Sequence, residues 1–248
     1  MKRRIDLNAD LGEGCAFDAE LMTVVTSCNI ACGGHAGDEA SMRTALSLAK
    51  ANGVSSGAHP SFPDRKNFGR TKSTLSGVEL ESALTVQVEQ LKQIAEELQI
   101  ALAHLKPHGA LYNMAAVDHS LAESLCNVLQ RSLSGARLVG PPGSALHQCA
   151  NERRIVFTAE GFADRAYEAD RQLRDRKLPG AVLHSAAQQV DQATDIALKQ
   201  QVKTYAGETV SLNAQTICVH GDTPGAFEAA KAIRAAFEKQ NIEICPPD

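Results

Sequence analysis

The chain has 248 residues, a net charge of −4, 44% hydrophobic residues and 22% charged residues. One barrel or doubly wound domain fills this length, so we expect no second full domain, and the composition excludes a disordered chain. The sequence has no basic stripe of the kind that binds nucleic acid and no apolar run as long as a membrane span. Aromatic residues make up only 4% and Trp is absent, which argues against a stacking platform for sugars or bases.

The N-terminus predicts a cytoplasmic protein, and the cysteines are predicted to be reduced. The first residues lead directly into a strand pattern, without the apolar segment of a secretory signal. The chain has seven cysteines, an odd number, and no Cys-x-x-Cys pair. We therefore expect reduced thiols that behave mostly as small buried hydrophobic residues.

Short strand patterns alternate with helical patterns along the chain. The predicted strands are residues 4–10, 26–32, 54–59, 101–107, 136–140, 154–160 and 215–220. The predicted helices are residues 39–51, 77–98, 120–132, 184–202 and a last helix that begins at Thr223-Pro224. This alternation is typical of α/β proteins, in which parallel strands are joined by helical crossovers.

Three local features complete this prediction. Ser76 and Glu79 have the spacing of a capping box at the start of helix 77–98. Segment 161–183 is charged and lacks a clear period, so we predict a long loop, which in a compact domain usually has a function. Segment 203–213 is predicted to form a small hairpin around Gly207.

The first strand carries an unusual row of polar side chains. Asp6, Asn8 and Asp10 share one face, because successive side chains of a strand point to opposite sides. Parallel strands are normally apolar on both faces, since helices cover them. A barrel interior near its C-terminal mouth explains such a row. Polar residues also end the second, third, fourth, sixth and seventh predicted strands, where parallel α/β folds place their active sites.

Five segments at strand ends combine titratable residues with Gly or Pro. They are residues 6–13, 29–38, 57–60, 106–112 and 219–225. Glycine lets the backbone approach a ligand closely, while the titratable groups can act as acid, base or ligand. A single histidine of this kind is more often a hydrogen-bonded core residue. Five such segments at equivalent positions predict an active site.

General motifs for nucleotides and metals are mostly absent from the sequence. No Gly precedes a Lys, so there is no Walker A loop, and no Gly-x-Gly-x-x-Gly occurs. Asp10, His35, His59 and His108 could nevertheless hold a divalent ion. The alternative is a metal-free cluster in which carboxylates orient the imidazoles and a lysine supplies positive charge. Spacing cannot distinguish the two, and we favour the metal-free site because no local His pair is present.

Six longer blocks carry a resemblance to a known family. They are DLNADLGE, NIACGGHAGD, GAHPSFPDRKNFGR, LKPHGALYN, EGFADRAYEADRQLRDRKLPGAV and VHGDTPGA. The sequence resembles the lactam-utilisation family, the A subunit of the prokaryotic 5-oxoprolinase, from about residue 5 to residue 237.

The resemblance implies a fold, an activity and partners. The implied fold is an irregular (β/α) barrel of seven strands, similar to that of polysaccharide deacetylases, and we expect residues 1–248 to form this one catalytic domain. The implied activity is the ATP-dependent opening of 5-oxo-L-proline to L-glutamate. ATP with Mg²⁺ would serve the complete enzyme, and subunits B and C would be the partners.

Within that reaction we hypothesise that the partner subunits phosphorylate the lactam oxygen and that this chain adds water to the activated carbon. Asp10 or His59 would be the general base, Lys106 would stabilise negative charge and His108 would protonate the departing nitrogen. The predicted substrate-binding and orienting residues are Asn8, Glu13, Asn29, His35, Glu160, Asp164, Arg165, His220 and Asp222. Among them, Arg165 is predicted to bind the substrate carboxylate with its planar guanidinium.

Two other functions remain open at the level of sequence. The first is a metal-dependent amide hydrolase or deacetylase that acts without partners. The second is a non-catalytic subunit that binds the substrate.

Overall fold

Seven parallel strands close into a barrel. The structure is a computed structural model that describes residues 3–221 and 225–247. Its strands are β1 (Arg4–Leu11), β2 (Ser27–Ala31), β3 (Ser55–His59), β4 (Leu102–Leu105), β5 (Arg137–Gly140), β6 (Phe157–Phe162), β7 (Gln201–Lys203), β8 (Thr209–Ser211), β9 (Thr216–His220) and β10 (Glu243–Ile244). The barrel order is β1-β2-β3-β4-β5-β6-β9, and β9 pairs with β1 again. The predicted seven-stranded α/β barrel is therefore confirmed.

Helices surround this barrel and cover its outer face. They are α1 (Asp18–Leu21), α2 (Glu39–Asn52), α3 (Gly77–Glu97), α4 (Gly109–Ala115), α5 (His119–Ser132), α6 (Ala145–Glu152), α7 (Ala186–Lys199) and α8 (Ala226–Lys239), with a 3₁₀ turn at Arg65–Asn67. The four predicted helices 39–51, 77–98, 120–132 and 184–202 correspond to α2, α3, α5 and α7. The predicted start of the last helix at Thr223-Pro224 lies outside the described residues, and α8 begins at Ala226. The short helices α1, α4 and α6 were not predicted.

The predicted capping box at the start of α3 is wrong. Ser76 has the extended backbone of an N-cap residue, but its side chain accepts no capping hydrogen bond. Gly77, the first residue of α3, has a φ of +53°, which differs from the helical conformation that a capping box requires there. A reciprocal capping box does begin α2, where the side chain of Asp38 accepts from the backbone amide of Ser41.

The polar row of β1 points into the barrel, as its parity predicted. Ile5 and Leu7 are buried in the hydrophobic core. Asp6 and Asn8 hydrogen-bond instead to side chains of the neighbouring barrel strands, both of them reaching Thr216 of β9. Burial outweighs these hydrogen bonds at Asp6 and raises the pKa of its carboxyl. The interior of the barrel is thus a hydrogen-bonded polar core, whereas the apolar core lies between the strands and the helices.

The segment between β6 and α7 is a long irregular loop, as the sequence predicted. Short bridges join Arg165 to Val182 and Tyr167 to both Leu173 and Thr204. The β7–β8 pair is antiparallel and turns around residue 207, which confirms the predicted hairpin. The bridge between Tyr167 and Thr204 joins the loop to the hairpin, and the loop forms part of the wall of the barrel mouth.

Two further predictions concern the chain as a whole. Five of the cysteines, Cys28, Cys32, Cys126, Cys149 and Cys218, are buried, in agreement with the expected small hydrophobic role. In the part of the chain that the structure describes, no helix combines the length and the apolar character needed to cross a membrane.

Candidate functional site

A cavity of about 450 Å³ opens at the C-terminal ends of the barrel strands. Six of the predicted site residues line it, namely Asp10, His59, Lys106, His108, Arg165 and His220. Asp10, His59 and His220 lie at the ends of β1, β3 and β9, and Lys106 directly follows β4. Parallel strands all present their carboxyl ends at the same side of a barrel, which is why residues far apart in sequence meet here.

Lys106 connects two carboxylates at the floor of this cavity. Its Nζ donates to Oδ1 of Asp10 at 2.9 Å and lies 2.9 Å from Oε1 of Glu160. Burial alone would lower the pKa of Lys106, but Asp10, Cys218 and Glu160 outweigh it and raise that pKa well above its usual value. Burial would likewise raise the pKa of Asp10, whereas His59 and Lys106 hold it well below the usual range. Asp10 is therefore a carboxylate and Lys106 an ammonium.

A layer of amides beneath the floor orients Asp10. The side-chain amide of Asn29 donates to Oδ1 of Asp10 and to Oδ1 of Asn8, both at 2.8 Å. Asn8 in turn donates to Oε1 of Glu160 at 3.0 Å. His104 donates from Nε2 to Oδ1 of Asn29 at 2.7 Å. Asn8, Asn29 and Glu160 thus belong to the site as the sequence predicted, but they hold the residues that face the cavity.

His59 and His108 direct two lone pairs at each other. His59 donates from Nδ1 to the carbonyl of Lys106 at 2.8 Å, and His108 donates from Nε2 to the carbonyl of Phe68 at 3.0 Å. A carbonyl can only accept, so these contacts assign the hydrogen of each neutral ring. The remaining nitrogens, Nε2 of His59 and Nδ1 of His108, lie 2.9 Å apart. In the neutral rings neither of these nitrogens carries a hydrogen.

Glu13 and His35 lie beside this histidine pair. Oε1 of Glu13 lies 2.9 Å from Nε2 of His35 and 3.4 Å from Nδ1 of His108. The rings of His35 and His108 are stacked, with centroids 3.6 Å apart. Burial, together with His59, lowers the pKa of His35 to about 2, and burial with His35 lowers the pKa of His108 well below its usual value. Both imidazoles are therefore neutral at pH 7 in this environment.

The groups that could hold a metal ion are in this corner. One donor atom from each of Glu13, His35, His59 and His108 lies within 4.8 Å of the others. Three imidazole nitrogens and a carboxylate oxygen suit a divalent ion such as zinc. The rings of His35 and His108 are parallel and stacked, however, so these two imidazoles cannot both direct a lone pair at the same ion, and the four side chains as arranged do not form one tetrahedral site.

His220 and Asp164 form a separate pair at the opposite wall. Nδ1 of His220 donates to Oδ2 of Asp164 at 2.8 Å, so its Nε2 is directed towards the cavity, 3.8 Å from Oδ2 of Asp10. Burial would raise the pKa of Asp164, but His220 outweighs it and lowers that pKa. The ring of Phe162 stacks on His220 at 5.5 Å. A carboxylate that orients one imidazole nitrogen and leaves the other facing a cavity is a common acid–base arrangement.

Arg165 is buried, and the surrounding loop uses part of its guanidinium. Its Nε donates to the carbonyl of Ala181 at 3.2 Å and one Nη donates to the carbonyl of Arg174 at 2.6 Å. One edge of the guanidinium therefore holds the loop, and the predicted contact of Arg165 with the substrate carboxylate stays a prediction. Burial, with Arg176 nearby, lowers the pKa of Arg165 to about 10. Other cationic residues also line the cavity: Arg70, Lys72, Arg174, Arg176 and Lys177.

Three residues of the site were not predicted from the sequence. Sγ of Cys218 accepts a hydrogen bond from Nζ of Lys106 at 3.2 Å. Cys218 shares its strand face with His220 on β9, and this parity could have indicated that it belongs to the site. Phe162 follows Glu160 with the same parity. Tyr112 lies in a block that also contains Lys106 and His108, and it lines the cavity. Asp222, a predicted substrate-binding residue, lies outside the described residues.

Known proteins match this chain over nearly its whole length. The model of the LamB/YcsF family matches residues 5–248. The chain belongs to the LamB/YcsF family. The lactam utilization protein from Thermus thermophilus is similar to it at 34% identity with a TM-score of 0.90, over 98% of this chain and 99% of that one. The family resemblance carried by the six sequence blocks is thus confirmed.

More distant structures share the LamB/YcsF barrel. A polysaccharide deacetylase from Bacillus cereus has a TM-score of 0.56 at 13% identity, over 100% of this chain and 93% of that one. A family 4 carbohydrate esterase from Streptomyces lividans has a TM-score of 0.54 at 9% identity, over 97% of this chain and 91% of that one. At such identities the likeness concerns the fold alone, and it confirms the predicted similarity to polysaccharide deacetylases.

Proposed function

We propose that this chain is the lactam-hydrolysing subunit of an ATP-dependent 5-oxoprolinase, with residues 1–248 as one catalytic domain in the cytoplasm. The observation that carries the proposal is the convergence of Asp10, Lys106 and His220 on one cavity with a cationic wall. Membership of the LamB/YcsF family and likeness to a lactam utilization protein support a lactam as substrate. Subunits B and C would use ATP with Mg²⁺ to phosphorylate the lactam oxygen.

The charges of the cavity suit a substrate with two anionic groups. A phosphorylated 5-oxoproline carries a carboxylate and a phosphate, and arginine and lysine side chains of the cavity wall can bind both. Arg70 and Arg176 line the cavity and would make these contacts, whereas Arg165 and Arg174 hold the loop. The volume of about 450 Å³ lies within the usual range of small-molecule sites.

Asp10 would be the base that removes a proton from the attacking water. Its carboxylate stays ionised beside Lys106, and the side-chain amide of Asn29 donates to Oδ1, which helps to orient it. The oxygen of the water bonds to the carbon of the phosphorylated lactam, and the electron pair of the C=N double bond moves to the ring nitrogen. When the C–N bond then breaks, the newly added hydroxyl gives up its proton, and negative charge develops on its oxygen. The ammonium of Lys106 lies within the same group of contacts and would stabilise that charge.

His220 would deliver the proton that the departing ring nitrogen needs. Its Nε2 faces the cavity while Asp164 holds Nδ1. His108, the donor predicted from sequence, directs Nδ1 at His59 instead, so a proton there would be shared inside the histidine pair. Breaking the C–N bond leaves an acyl phosphate. A second water then yields L-glutamate and inorganic phosphate.

A reconstitution assay tests this proposal. The chain is combined with subunits B and C, ATP, Mg²⁺ and 5-oxoproline, and glutamate and ADP are measured with each component omitted in turn. We expect glutamate only from the complete mixture, and a loss of about 10²-fold or more with Asp10→Asn. The control Asp191→Asn removes an exposed carboxylate of α7 and should retain full turnover.

Two outcomes would contradict the proposal. Multiple turnovers by the chain alone without ATP would indicate a hydrolase that acts without partners. Full glutamate release by the mixture containing Asp10→Asn, with 5-oxoproline still bound by the chain, would indicate a subunit that binds substrate without catalysing the reaction.

A further inference from the structure

A second cavity, of about 190 Å³, adjoins the candidate site and contains two buried polar atoms without a partner. The two cavities have six lining residues in common, namely Tyr112, Asn113, Val117, Phe162, Gln172 and Leu173. Glu160 lines the second cavity, which we call the side cavity. Neither Oε2 of Glu160 nor the hydroxyl of Tyr112 has a hydrogen-bond partner. Buried polar atoms are nearly always paired, so these two indicate a place for a ligand that donates hydrogen bonds.

The charges around these two atoms favour a cationic ligand. Nζ of Lys106 lies 2.9 Å from Oδ1 of Asp10 and 2.9 Å from Oε1 of Glu160, so one ammonium faces two carboxylates. Burial, together with Glu160, raises the pKa of Tyr112 well above its usual value, so its hydroxyl is neutral. Nζ of Lys106 also lies 5.3 Å from the centre of the Phe162 ring, and aromatic rings attract ammonium groups. A second ammonium would therefore balance the excess negative charge.

We propose that Glu160 and Tyr112 bind the α-ammonium of the ring-opened product and thereby prevent the ring from closing again. This inference rests on the proposed function, in which breaking the C–N bond leaves an acyl phosphate with a free amine. The lone pair of that amine can attack the acyl carbon, form the C–N bond again and expel inorganic phosphate. 5-Oxoproline would return and the ATP would be lost. This attack is favoured because both reacting groups belong to one molecule.

An ammonium cannot attack in this way, because it has no lone pair. The free amine takes one further proton from solvent water, and the carboxylate of Glu160 stabilises the charge that forms. Oε2 of Glu160 accepts one of its N–H groups, and the phenol oxygen of Tyr112 accepts another. The oxygen of the second water then bonds to the acyl carbon, the C–O bond to phosphate breaks, and a proton of that water returns to solvent. L-Glutamate is the product.

Phe162 connects the side cavity with the residue that protonates the departing nitrogen. Its ring stacks on His220 with the centroids 5.5 Å apart, and it meets Tyr112 edge to face at 5.6 Å. In the intact lactam the C–N bond keeps the nitrogen next to the reacting carbon. Once that bond is broken, the nitrogen can rotate away from His220, past Phe162, towards Glu160. The side cavity therefore acts after ring opening.

Ligand binding by the isolated chain tests the subsite without partners or ATP. Calorimetric titrations compare L-glutamate with glutarate, which has the same two carboxylates and no amine. We expect L-glutamate to bind at least about tenfold more tightly, and Tyr112→Phe to remove most of that difference. The matched control Tyr205→Phe removes an exposed hydroxyl of the β7–β8 hairpin and should bind both ligands as the unmodified chain does.

The reconstituted enzyme then shows whether the subsite prevents ring closure. ADP and glutamate are measured in the same reaction, and the unmodified enzyme should release equal amounts of the two. Tyr112→Phe and Glu160→Gln should each raise the ratio of ADP to glutamate at least about twofold, because ring closure consumes ATP without forming product. A merely structural defect would lower both rates together and leave the ratio unchanged. Circular dichroism shows whether each variant is folded.

Two results would overturn the proposal. One is that the unmodified chain binds L-glutamate no more tightly than glutarate. The other is an unchanged ratio of ADP to glutamate in both folded variants. If the unmodified complex released no glutamate at all, the proposed function would fail instead, and the comparison of the two ligands would still decide whether the subsite exists.

Discussion

Nζ of Lys106 lies 2.9 Å from Oδ1 of Asp10, and both side chains are almost completely buried. Such a pair needs both members, because either charge alone would be isolated from water inside the barrel. Glu160 lies 2.9 Å from the same ammonium, so Lys106 compensates two buried carboxylates. This arrangement links the stability of the barrel interior to the electrostatics of the candidate site.

Replacing Lys106 should damage both stability and activity. Lys106→Met leaves Asp10 and Glu160 as buried carboxylates without a cation, and we expect the free energy of unfolding to fall by about 3–5 kcal/mol. Glutamate release by the reconstituted enzyme should fall by about 10²-fold or more. Denaturant unfolding and the coupled assay measure the two effects. The control Lys92→Met removes one member of the Lys92–Glu89 surface pair on α3 and should change the free energy of unfolding by less than about 0.5 kcal/mol. An equal loss of stability in both variants would refute the role of Lys106.

The Asp164–His220 pair should make folding stability depend on pH in the acid range. The folded pKa of Asp164 is lowered, so its ionised form contributes stability that is fully present above the unfolded pKa of about 3.9. That contribution is lost as the pH falls through the lower folded pKa. Asp164→Asn should therefore show a shallower decline of the free energy of unfolding below about pH 4. Equal slopes for the two proteins, from urea titrations between about pH 2.5 and pH 7, would show that Asp164 does not titrate in this way.

Removing the proposed proton donor should slow the chemical step without preventing substrate binding. His220→Gln keeps a polar side chain beside Asp164 but cannot carry a proton at neutral pH. We expect kcat for glutamate release to fall by about 10²–10⁴-fold while KM changes little. The control His147→Gln alters a histidine of α6 that does not line the cavity. A changed KM with normal kcat would assign His220 to substrate binding alone.

Gly57 has no side chain, and the imidazole of His104 occupies the space beside it in the interior of the barrel. A Cβ at this position would overlap the imidazole of His104, which is held by Asn29 beneath the site. Gly57→Ala should therefore reduce the free energy of unfolding by about 1–3 kcal/mol. The double variant Gly57→Ala/His104→Ala removes the overlap and should lose less than the sum of the two single variants. Additive losses in denaturant unfolding would exclude a direct clash.

Arg165 should stabilise the loop that forms the cavity wall. Arg165→Lys loses the two-point contact with the carbonyls of Ala181 and Arg174, because an ammonium cannot reproduce the planar guanidinium. We expect the backbone amides of residues 164–183 to exchange with deuterium about tenfold faster, while those of the barrel strands keep their protection. Arg131→Lys on α5 serves as the control. If the deuterium exchange of the loop amides is unchanged and KM rises strongly, Arg165 binds the substrate rather than the loop.

Much of the fold follows from the sequence alone. The period of two in the strands and of three to four in the helices is a local property, so seven strands and the long helices could be predicted. The polar parity of β1 also indicated a barrel, because an outward face covered by helices could not accommodate Asp6, Asn8 and Asp10. The short helices α1, α4 and α6 were missed because each of them is only about one or two turns long and therefore gives little periodicity.

The sequence predicted which residues form the candidate site, but not which of them are in contact. Asp10, His59, Lys106 and His220 follow different strands, and only closure of the barrel determines which of them touch. The role of a single side chain could not be assigned from the sequence, because its neighbours in space were unknown. Arg165 is engaged by its own loop, and His108 directs its lone pair at His59 rather than at the cavity.

Sequence alone determined the residue types at the strand ends and, through the family blocks, the class of protein. Tertiary structure decided the tautomers of His59 and His108, because carbonyls of distant residues accept their hydrogens. It also decided the ionisation of Asp10 and Lys106, since a pKa depends on burial and on charges within a few ångströms. Such distances between residues far apart in the chain arise only when the strands close into the barrel.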